Sequence, residues 1–464
     1  MKPKITIKTI PADRFTPLVV FKKLAGKALL ESAVLEIGKS RYSIILVEEA
    51  FRLILDKNGV HCLENGKKRA ITRDRKKFLE LVEEAGKKVR TQENFSIPIP
   101  AAGLGYLGYE TAMLFDKINL AKQQDELNLP DSIFMFGSIF AIFDHYKSEL
   151  HLVAIDQQGS VNAKNKLEGL ALRLLDDDFR AYKSNDAHFE YSADIEAGKQ
   201  QFISGVKTIR DHIIAGNLVQ AVLSRRVDVK THLPAIEAYS RLRRENPSPY
   251  LFYLDFDDFQ LLGASPELMV SLSGDIATIK PIAGTRRRGK DRAEDVALEK
   301  ELLADEKERA EHLMLVDLAR NDLGRAAASG KVTPVHLYGV ERYAHVMHIV
   351  SEIEAPLRKD QTACDLIKAT FPAGTVSGAP KIMAMQIVSQ IEKTKRGPYA
   401  GLIGHFDVNG NFESCITIRS YIHKNDHYYI QAGAGIVYDS VPEKEFEETV
   451  YKSKALIKAL GVKI

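Results

Sequence analysis

The sequence of 464 residues is poor in cysteine and in net charge. Its three cysteines, at positions 62, 364 and 415, are far apart and include no CxxC pair. Such a set argues against a disulfide framework or a cysteine zinc site, and it fits a reducing cytoplasm. The formal net charge is +3 and no long basic block occurs, so nothing points to nucleic acid as a partner.

Long apolar segments are also missing. The longest apolar runs fall far short of a membrane span, and the N-terminal segment MKPKITIKTI lacks the apolar core of a signal peptide. The remaining composition, 45% hydrophobic and 27% charged, is typical of a soluble globular protein with two domains or one large one. We therefore expect a cytoplasmic protein that does not insert into membranes.

The order of predicted elements indicates an α+β fold. Strand-like runs such as SIFMFGSIFAIFD and ELHLVAID follow each other as hairpin-like neighbours, which favours mainly antiparallel sheets over a doubly wound sheet. A polar segment at residues 183–199 lacks apolar periodicity and predicts a boundary. We assign residues 1–185 to an N-terminal domain and residues 186–464 to a second domain.

Three local predictions bear on the active site. Residues 22–37 and 293–321 are expected to form helices, and residues 413–422 a strand. The segment GLGYLG, from Gly103, fits the GxGxxG phosphate-loop pattern letter for letter. Prolines precede it in place of a parallel strand, and no acidic residue follows at the required distance. Its glycines therefore predict close packing between sheets.

One predicted helix, DEKERAEHLMLVDLARNDLGR at residues 305–325, has two carboxylates on one face, Glu308 and Glu311. They adjoin the apolar run at residues 313–316, which predicts a buried helix. A buried carboxylate is costly unless a positive group meets it.

The C-terminal segment PEKEFEETVYK repeats this spacing with Glu445 and Glu448, and Lys452 follows one turn later. Two helices that each offer Glu-x-x-Glu could hold one hard divalent cation, and oxygen ligands suit magnesium, manganese or calcium rather than zinc. Two solvated surface helices would show the same spacing, so spacing alone leaves both readings open.

Five stretches rich in glycine and small polar residues adjoin strands in the second half of the chain. Such residues let backbone N–H groups approach an anion, and Arg419, Lys381 and Lys452 supply positive charge. Together they predict a cleft for a small, multiply anionic substrate, although each loop alone would also fit a tight turn. The stretches are GASPE (263–267), KPIAGTRRRG (280–289), FPAGTVSGAPK (371–381), RGPYAGLIG (396–404) and AGAGIVYDS (432–440).

These motifs resemble those of the chorismate-utilising enzymes. KPIAGTRRRG, DEKERAEHLMLVDLARNDLGR, FPAGTVSGAPK, RGPYAG, IRS and AGAGIVYDSVPEKEFEET occur in the family's order across about residues 200 to 455. The N-terminal part is similar more weakly, through LLES (29–32) and the GYLGYE region. The resemblance implies an α+β fold whose antiparallel sheets pack as a β-sandwich-like core flanked by helices.

The resemblance also implies a magnesium-dependent active site. Glu311 and Glu448 match direct metal ligands, and Glu308 and Glu445 match residues that act through water. The metal would neutralise a substrate carboxylate and fix the ring rather than activate water.

Three further residues match catalytic groups: Glu267, His348 and Lys452. Glu267 matches a general acid for the departing C4 hydroxyl, a role that requires a raised pKa. His348 matches a histidine beside the reacting ring. Without the resemblance, Glu267 would be interpreted as an ordinary residue at the start of a strand and His348 as a core histidine. The residues that match substrate contacts are Gly284, Thr285, Thr375, Tyr399, Arg419, Gly433, Ala434 and Gly435.

Two positions discriminate among members of the family. Gln220 stands where isochorismate and salicylate synthases carry a water-activating lysine. Ala283 stands where many aminodeoxychorismate synthases carry a lysine, and alanine cannot form a covalent adduct with the ring. Both favour the large, component I subunit of an anthranilate synthase, with ammonia supplied by a glutamine amidotransferase subunit. Component I of an aminodeoxychorismate synthase and a non-catalytic regulatory homologue remain alternatives.

Two motifs, LLES and NPSPY (246–250), match the halves of a tryptophan feedback site. Tryptophan is therefore expected as an inhibitor, although some aminodeoxychorismate synthases keep a similar pocket. Leu251 stands where the family often has methionine, a change that leaves apolar packing possible. The matched residues are Glu31, Ser32, Pro249, Tyr250, Leu251 and Cys415.

Overall fold

The computed structural model describes residues 3–32, 41–91, 93, 95–156, 163–176, 192–343 and 346–462. In these residues the α-helices are α1 (Pro17–Leu24), α2 (Phe78–Lys87), α3 (Ala163–Leu175), α4 (Lys199–Ile214), α5 (Ala235–Glu245), α6 (Arg292–Ala304), α7 (Glu306–Gly324), α8 (Ala363–Thr370), α9 (Lys381–Ile391) and α10 (Pro442–Ala459). No helix of this part of the chain combines the length and apolar character needed to cross a membrane.

The strands of the same residues are β1 (Lys4–Pro11), β2 (Ala28–Glu31), β3 (Tyr42–Asp56), β4 (Gly59–Glu64), β5 (Lys67–Thr72), β6 (Leu104–Leu107), β7 (Ser132–Asp144), β8 (Glu149–Asp156), β9 (Ser192–Ala193), β10 (Gln220–Lys230), β11 (Tyr250–Asp255), β12 (Gln260–Ser265), β13 (Leu268–Ser273), β14 (Ile276–Ile279), β15 (Ile282–Arg287), β16 (Thr333–Arg342), β17 (Val346–Pro356), β18 (Gly378–Ala379), β19 (Leu402–Phe406), β20 (Phe412–Ile416), β21 (Ser420–Lys424) and β22 (His427–Ile436).

Two long strands, β3 and β7, form the junction of the sheet. They pair antiparallel along almost their whole lengths, and their register shifts between Leu46 and Phe51. Such β-bulges bend and twist a strand pair. The outer edge of β3 is divided between β2 and β4, and that of β7 between β6 and β8. The sheet therefore continues from this pair in two directions, which we call the first and second arms.

The first arm runs β1–β8–β7–β3–β2–β11–β12–β21–β22–β10. The second arm runs β5–β4–β3–β7–β6–β19–β20–β13–β14–β17, and β15 and β16 also pair with β17. Every ladder between these described strands is antiparallel. The predicted boundary between residues 185 and 186 lies outside the described residues and stays a prediction.

The two arms face each other across the main apolar core. Phe252 of β11 packs in one cluster with Val270 and Ile403 of the second arm. The neighbouring residues Leu251 and Tyr253 point to the other face of the first arm and pack with helices α1, α3, α5 and α10. This arrangement confirms the predicted α+β fold, with mainly antiparallel strands and flanking helices.

The helix predicted at residues 22–37 is wrong. Helix α1 starts earlier, with Thr16 as its N-cap and Pro17 in its first turn, and it ends at Ala25, which has a left-handed φ of 52°. Residues 28–31 instead form β2, which pairs with β3 on one side and β11 on the other. Pairing on both edges outweighs the local helix propensity of these residues. Residues 33–37 lie outside the described part of the chain.

Two other predicted elements are each divided in two. The helix predicted at 293–321 breaks at Asp305, whose extended backbone (ψ 108°) ends α6 and whose carboxylate caps α7. The strand predicted at 413–422 breaks into β20 and β21, because Arg419 has a left-handed φ of 52°. Neither break is marked by glycine or proline.

The GLGYLG segment forms β6 between β7 and β19, as the packing interpretation predicted. A Cβ atom added to Gly105 would lie 1.9 Å from the carbonyl oxygen of Ile133 in β7. Only glycine therefore allows the strands to approach at this point.

We expect Gly105→Ala to lower the free energy of unfolding by about 1–3 kcal/mol, the usual cost of overpacking a core. Urea denaturation measures this change. Gly169→Ala is the control, because no atom lies within 4 Å of a Cβ added there in helix α3. That variant should be neutral or more stable by up to about 1 kcal/mol. Equal stability of the two variants would contradict the packing argument.

Candidate active site and an adjoining cavity

Helix α7 begins where the Asp305 carboxylate accepts hydrogen bonds from the backbone N–H groups of Lys307 and Glu308, at 3.0 and 3.2 Å. Within the apolar run at 313–316, Val316 is buried but Leu313 is 47% exposed. The prediction that the run buries the helix is therefore wrong in part. Successive helical residues point about 100° apart, so four in a row cannot all face the core.

The two α7 glutamates of the predicted metal site have basic neighbours. Glu308 lies 3.2 Å from Arg286 of β15, and Glu311 lies 3.9 Å from Lys307. Burial raises the pKa of Glu311, Lys307 lowers it, and the acidic neighbours, Glu448 among them, raise it again. The charge of Glu448, which belongs to α10, thus reaches Glu311, and an ion pair of 3.1 Å between Lys307 and Asp439 joins the start of α7 to the loop before α10.

Helix α10 supplies the other two glutamates, Glu445 and Glu448. Burial raises the pKa of Glu445, and the neighbouring Glu448 carboxylate raises it further, against the opposing effects of Ser440 and Lys452. Glu448 itself lies 2.6 Å from Lys452. We call the four glutamates of α7 and α10 the acidic cluster; Arg286, Lys307 and Lys452 neutralise it in part.

This donor set fits a hard divalent cation. Carboxylate oxygens are the ligands that Mg²⁺ prefers, and a cation between these groups would relieve their mutual repulsion. Across the described residues no three His, Cys, Asp or Glu side chains converge as a ready-made cage. Metal binding would therefore require Glu311 and Glu448 to exchange their lysine contacts for the ion.

Glu267 lies just after β12 and is only 9% exposed. Burial raises its pKa to about 7, while Thr375 and the charge of Lys452 act to lower it. The buried Thr375 Oγ1 forms no hydrogen bond of ordinary geometry, so its contact with the Glu267 carboxylate is loose. A carboxyl with this pKa holds its proton up to neutral pH, the condition that the predicted general acid must meet.

His348 of β17 is held by the KPIAGT segment. Its Nδ1 lies 2.9 Å from the carbonyl oxygen of Gly284 and 3.1 Å from Thr285 Oγ1. Because a carbonyl oxygen only accepts, Nδ1 carries the proton and Nε2 is left as a base. Burial lowers the pKa of His348; the Gly284 carbonyl opposes this and Arg419 adds to it. The ring is therefore neutral at pH 7.

Gly284 links this histidine to the acidic cluster. Its φ of +64° lies in the left-handed region that favours glycine. A Cβ atom added there would lie 3.2 Å from Glu308 Oε2. The backbone that holds the imidazole therefore runs directly against a predicted metal-binding carboxylate.

Tyr399 lies next to the backbone of β22, and Lys452 connects Arg419 to the same strand. The Arg419 guanidinium donates to the Lys452 carbonyl, and Lys452 Nζ donates to the Gly433 carbonyl at 2.9 Å. A Cβ atom added to Gly433 would lie 3.0 Å from the Tyr399 hydroxyl. Burial raises the pKa of Tyr399 to about 12, although the Arg396 and Arg419 charges lower it. The hydroxyl therefore stays a donor.

The remaining predicted residues differ in what they can offer to a substrate. A Cβ atom added to Gly435 would lie 2.7 Å from Gln220 Nε2, so this backbone adjoins the Gln220 side chain. Ala434 points into the apolar cluster on the opposite face and can offer only its backbone. Lys381 is not available to an anion, because it donates to the buried Asp322 carboxylate at 2.8 and 2.9 Å.

Sequence reasoning missed Tyr343. Its ring lies 5.4 Å from that of His348 in an edge-on arrangement, and its hydroxyl donates to Glu341 at 2.9 Å. Burial raises its pKa, and the charges of Glu341 and Glu267 raise it further. The residue sits in the turn between β16 and β17, so only the hairpin register could have placed it beside the histidine.

A cavity of about 640 Å³ adjoins these groups, and all six residues of the predicted feedback site line it. Burial raises the pKa of Tyr250 in its wall, and Glu413, Cys415, Tyr343 and Glu341 add to the shift. Pro266 and Tyr343 also line the cavity, so it abuts the catalytic groups. Its volume lies in the usual range for small-molecule sites.

Comparison with known proteins identifies the family. The family described as chorismate binding enzyme matches residues 36–458. An anthranilate synthase component 1 from Spirochaeta aurantia is 45% identical over 467 residues, covering 99% of this chain and 96% of the relative. The chain belongs to the chorismate binding enzymes.

Other relatives of this chorismate binding enzyme agree in sequence and fold. The anthranilate synthase component 1 of Aquifex aeolicus (strain VF5) is 39% identical, covering 97% of this chain and 93% of the relative. The crystal structure of anthranilate synthase component I from Streptococcus pneumoniae TIGR4 superposes with a TM-score of 0.80 and 33% identity, covering 96% of this chain and 98% of that one. The predicted family and fold are confirmed, and the chain is a chorismate-converting enzyme.

In this chorismate binding enzyme we expect Glu267→Gln to change how stability depends on pH. The pKa of Glu267 rises from 4.5 in the unfolded chain to about 7 in the folded one. Stability from the neutral carboxyl is therefore complete below pH 4.5 and lost as the pH rises through 7, a loss of about 3 kcal/mol. The variant should lack this loss. Urea unfolding from pH 5 to 8 measures the difference, and parallel curves would contradict the raised pKa.

Proposed function

We propose that this chain is the large subunit of an anthranilate synthase. It converts chorismate and ammonia into anthranilate, pyruvate and water in the first step of tryptophan biosynthesis. The observation that carries the proposal is the buried Glu267 carboxyl, whose pKa burial raises to about 7, in one site with His348, which the Gly284 backbone holds next to Glu308 of the acidic cluster. Gln220 and Ala283, in place of the lysines of related enzymes, favour ammonia as the nucleophile.

In the first step the ammonia nitrogen bonds to ring C2 and the bond from C4 to its hydroxyl breaks. The ring double bonds shift between them, and Glu267 gives its proton to the departing oxygen, which leaves as water. The geometry around Glu267 supports this assignment, because burial keeps the proton in place near neutral pH.

In the second step the intermediate loses pyruvate and the ring becomes aromatic. The C2 proton must be removed while the bond from the ring to the enolpyruvyl oxygen breaks, and the enol carbon then gains a proton. His348 Nε2 suits proton removal, because Nδ1–H is engaged by the Gly284 carbonyl. Tyr399 and Arg419 would hold the enolpyruvyl carboxylate by hydrogen bonding and charge.

The acidic cluster is proposed to bind magnesium through Glu311 and Glu448, with Glu308 and Glu445 acting through water. A bound magnesium ion would neutralise the ring carboxylate of chorismate and hold the ring in place. Gly433, Gly435, Gly284, Thr285 and Thr375 would offer backbone or hydroxyl donors around the ring. The free, buried state of all three cysteines supports a reducing, cytoplasmic location.

The cavity is proposed to bind tryptophan as a feedback inhibitor. It combines apolar walls, such as Leu251 and Phe252, with carboxylates and cations, such as Glu31 and Arg41. An amino acid with an indole ring needs both kinds of surface. A glutamine amidotransferase subunit is proposed to supply the ammonia, because the names of the relatives specify a first component.

We expect the purified chain to form fluorescent anthranilate and equimolar pyruvate from chorismate, Mg²⁺ and an ammonium salt. Release of an aminated intermediate without pyruvate would instead support an aminodeoxychorismate synthase. Absence of any turnover would support a non-catalytic homologue. Glutamine in place of ammonium should give no product without the partner subunit.

Within this assay, Glu311→Gln should lower kcat by at least about 100-fold, because the cluster loses a charged metal ligand. Glu306→Gln is the matched control, since Glu306 is an exposed residue in the first turn of the same helix. Wild-type activity in Glu311→Gln would remove Glu311 from the metal site.

Tryptophan should inhibit anthranilate formation, and Ser32→Leu should weaken this inhibition at least tenfold by filling the cavity. Ser273→Leu, at an exposed position of β13, is the control. The chain itself contains no tryptophan, so added tryptophan is the sole indole in a fluorescence binding assay. Unchanged inhibition in Ser32→Leu would place the feedback site elsewhere.

A further inference from the structure

Strands β15 and β17 each carry catalytic residues and, further along, residues that line the cavity. In the ladder between β15 and β17, Ile282 is opposite Val350 and Thr285 is opposite His348. Ile282 and Val350 line the cavity, whereas the Thr285–His348 pair belongs to the catalytic cluster. Residues two apart on a strand project from the same face, about 7 Å from each other. The cavity and the catalytic site are therefore neighbours on one face of this sheet.

Tyr343 stands between these two neighbours. One side of its ring meets His348 edge-on at 5.4 Å, and the residue also lines the cavity. Its hydroxyl donates to Glu341, which lines the cavity and lies opposite His348 in the ladder between β16 and β17. The charge of Glu267 also reaches this ring.

The backbone of Tyr343 is held firmly. Its carbonyl accepts a hydrogen bond from Arg288 at 2.8 Å, and Arg288 is paired with Asp295 at 2.9 Å. Its N–H donates to the Val346 carbonyl at 2.8 Å. With the backbone fixed, a ligand that presses on the ring or its hydroxyl is accommodated by rotation of the side chain rather than by movement of the loop.

We propose that Tyr343 is a positioning residue for His348 and also the link through which a ligand in the cavity acts on catalysis. The ring packs edge-on against the imidazole, whose Nδ1 is already held by Gly284 and Thr285. A ligand that displaces the hydroxyl from Glu341 turns the ring and removes this support. The inference rests on the proposed function, and it names the residue through which the two sites are coupled.

The positioning role is tested by comparing Tyr343→Phe with Tyr343→Ala. Loss of the ring in Tyr343→Ala should lower kcat about tenfold while KM for chorismate changes less than twofold. Water would then reach His348, so the acidic limb of the kcat profile should move to higher pH. The Arg419 charge still acts on the imidazole, and Glu341 lies opposite His348 in the ladder. Tyr343→Phe keeps the ring and should keep the position of this limb.

The coupling role is tested without turnover, with chorismate present and ammonia absent. Calorimetry gives the ratio of the tryptophan dissociation constants with and without saturating chorismate, which measures coupling between the two sites. In Tyr343→Phe this ratio should fall to less than a fifth of the wild-type value. Tyr42→Phe is the matched control, because it removes from the same cavity wall a hydroxyl that donates to the Ser96 carbonyl.

Wild-type coupling and wild-type kcat in both Tyr343 variants would overturn the proposal. The proposal would also be overturned if the pH limb were unchanged in Tyr343→Ala and coupling were lost equally in Tyr42→Phe. The loss of coupling would then be a property of the cavity as a whole and not of Tyr343. Failure of the proposed function has a different signature, since the wild-type chain would form no anthranilate while calorimetry still measured the coupling.

Discussion

The burial of one guanidinium, that of Arg396, constrains the chain segments next to Tyr399. Its side chain is 1% exposed, and it pairs with Glu392 through two hydrogen bonds of 2.8 Å. Two more of its N–H groups donate to the carbonyls of Val376 and Val222, at 2.8 and 2.7 Å. A buried charge is tolerated only when it is fully paired in this way, so three separate chain segments must hold their positions. Tyr399, which is predicted to contact the substrate, follows in the same turn.

Water is excluded from the region of the Arg396–Glu392 pair. The same exclusion of water determines the pKa values of the catalytic groups. Desolvation penalises a charged form, so it raises the pKa of Glu267 and lowers that of His348. An acid that keeps its proton and a base that stays neutral are thus present together at the same pH. Opposite roles for two groups in one pocket arise from this common cause. Burial also raises the pKa of Glu311 and Glu445 in the acidic cluster, but there the charges of Lys307 and Lys452 oppose the shift.

Much of the fold and the candidate site could be predicted from sequence, because motifs in the second half are local. Glu308 and Glu311 do lie on one helix and Glu445 and Glu448 on another, as their spacing predicted, and the metal and substrate roles of these residues stay predictions. What could not be predicted depends on pairing between distant segments. Residues 28–31 form a strand because β11 lies beside them, and nothing nearby marks the break at Arg419. Tyr343 reaches His348 only through the hairpin register, and Lys381 is neutralised by Asp322, which lies 59 positions away.

The shared strands β3 and β7 have a consequence for the chain during synthesis. Synthesis of both strands is complete at Asp144. The neighbouring strands β2 and β6 still lack a partner at that point, because Glu31 pairs with Leu251 of β11 and Tyr106 pairs with Ile403 of β19. At roughly 5–20 residues per second, these edges remain unpaired for about 10–60 s after they leave the ribosome. Unpaired edges are templates for association with other chains. Elongation rate and chaperone access therefore bear on the yield of this protein as directly as the stability of its finished core.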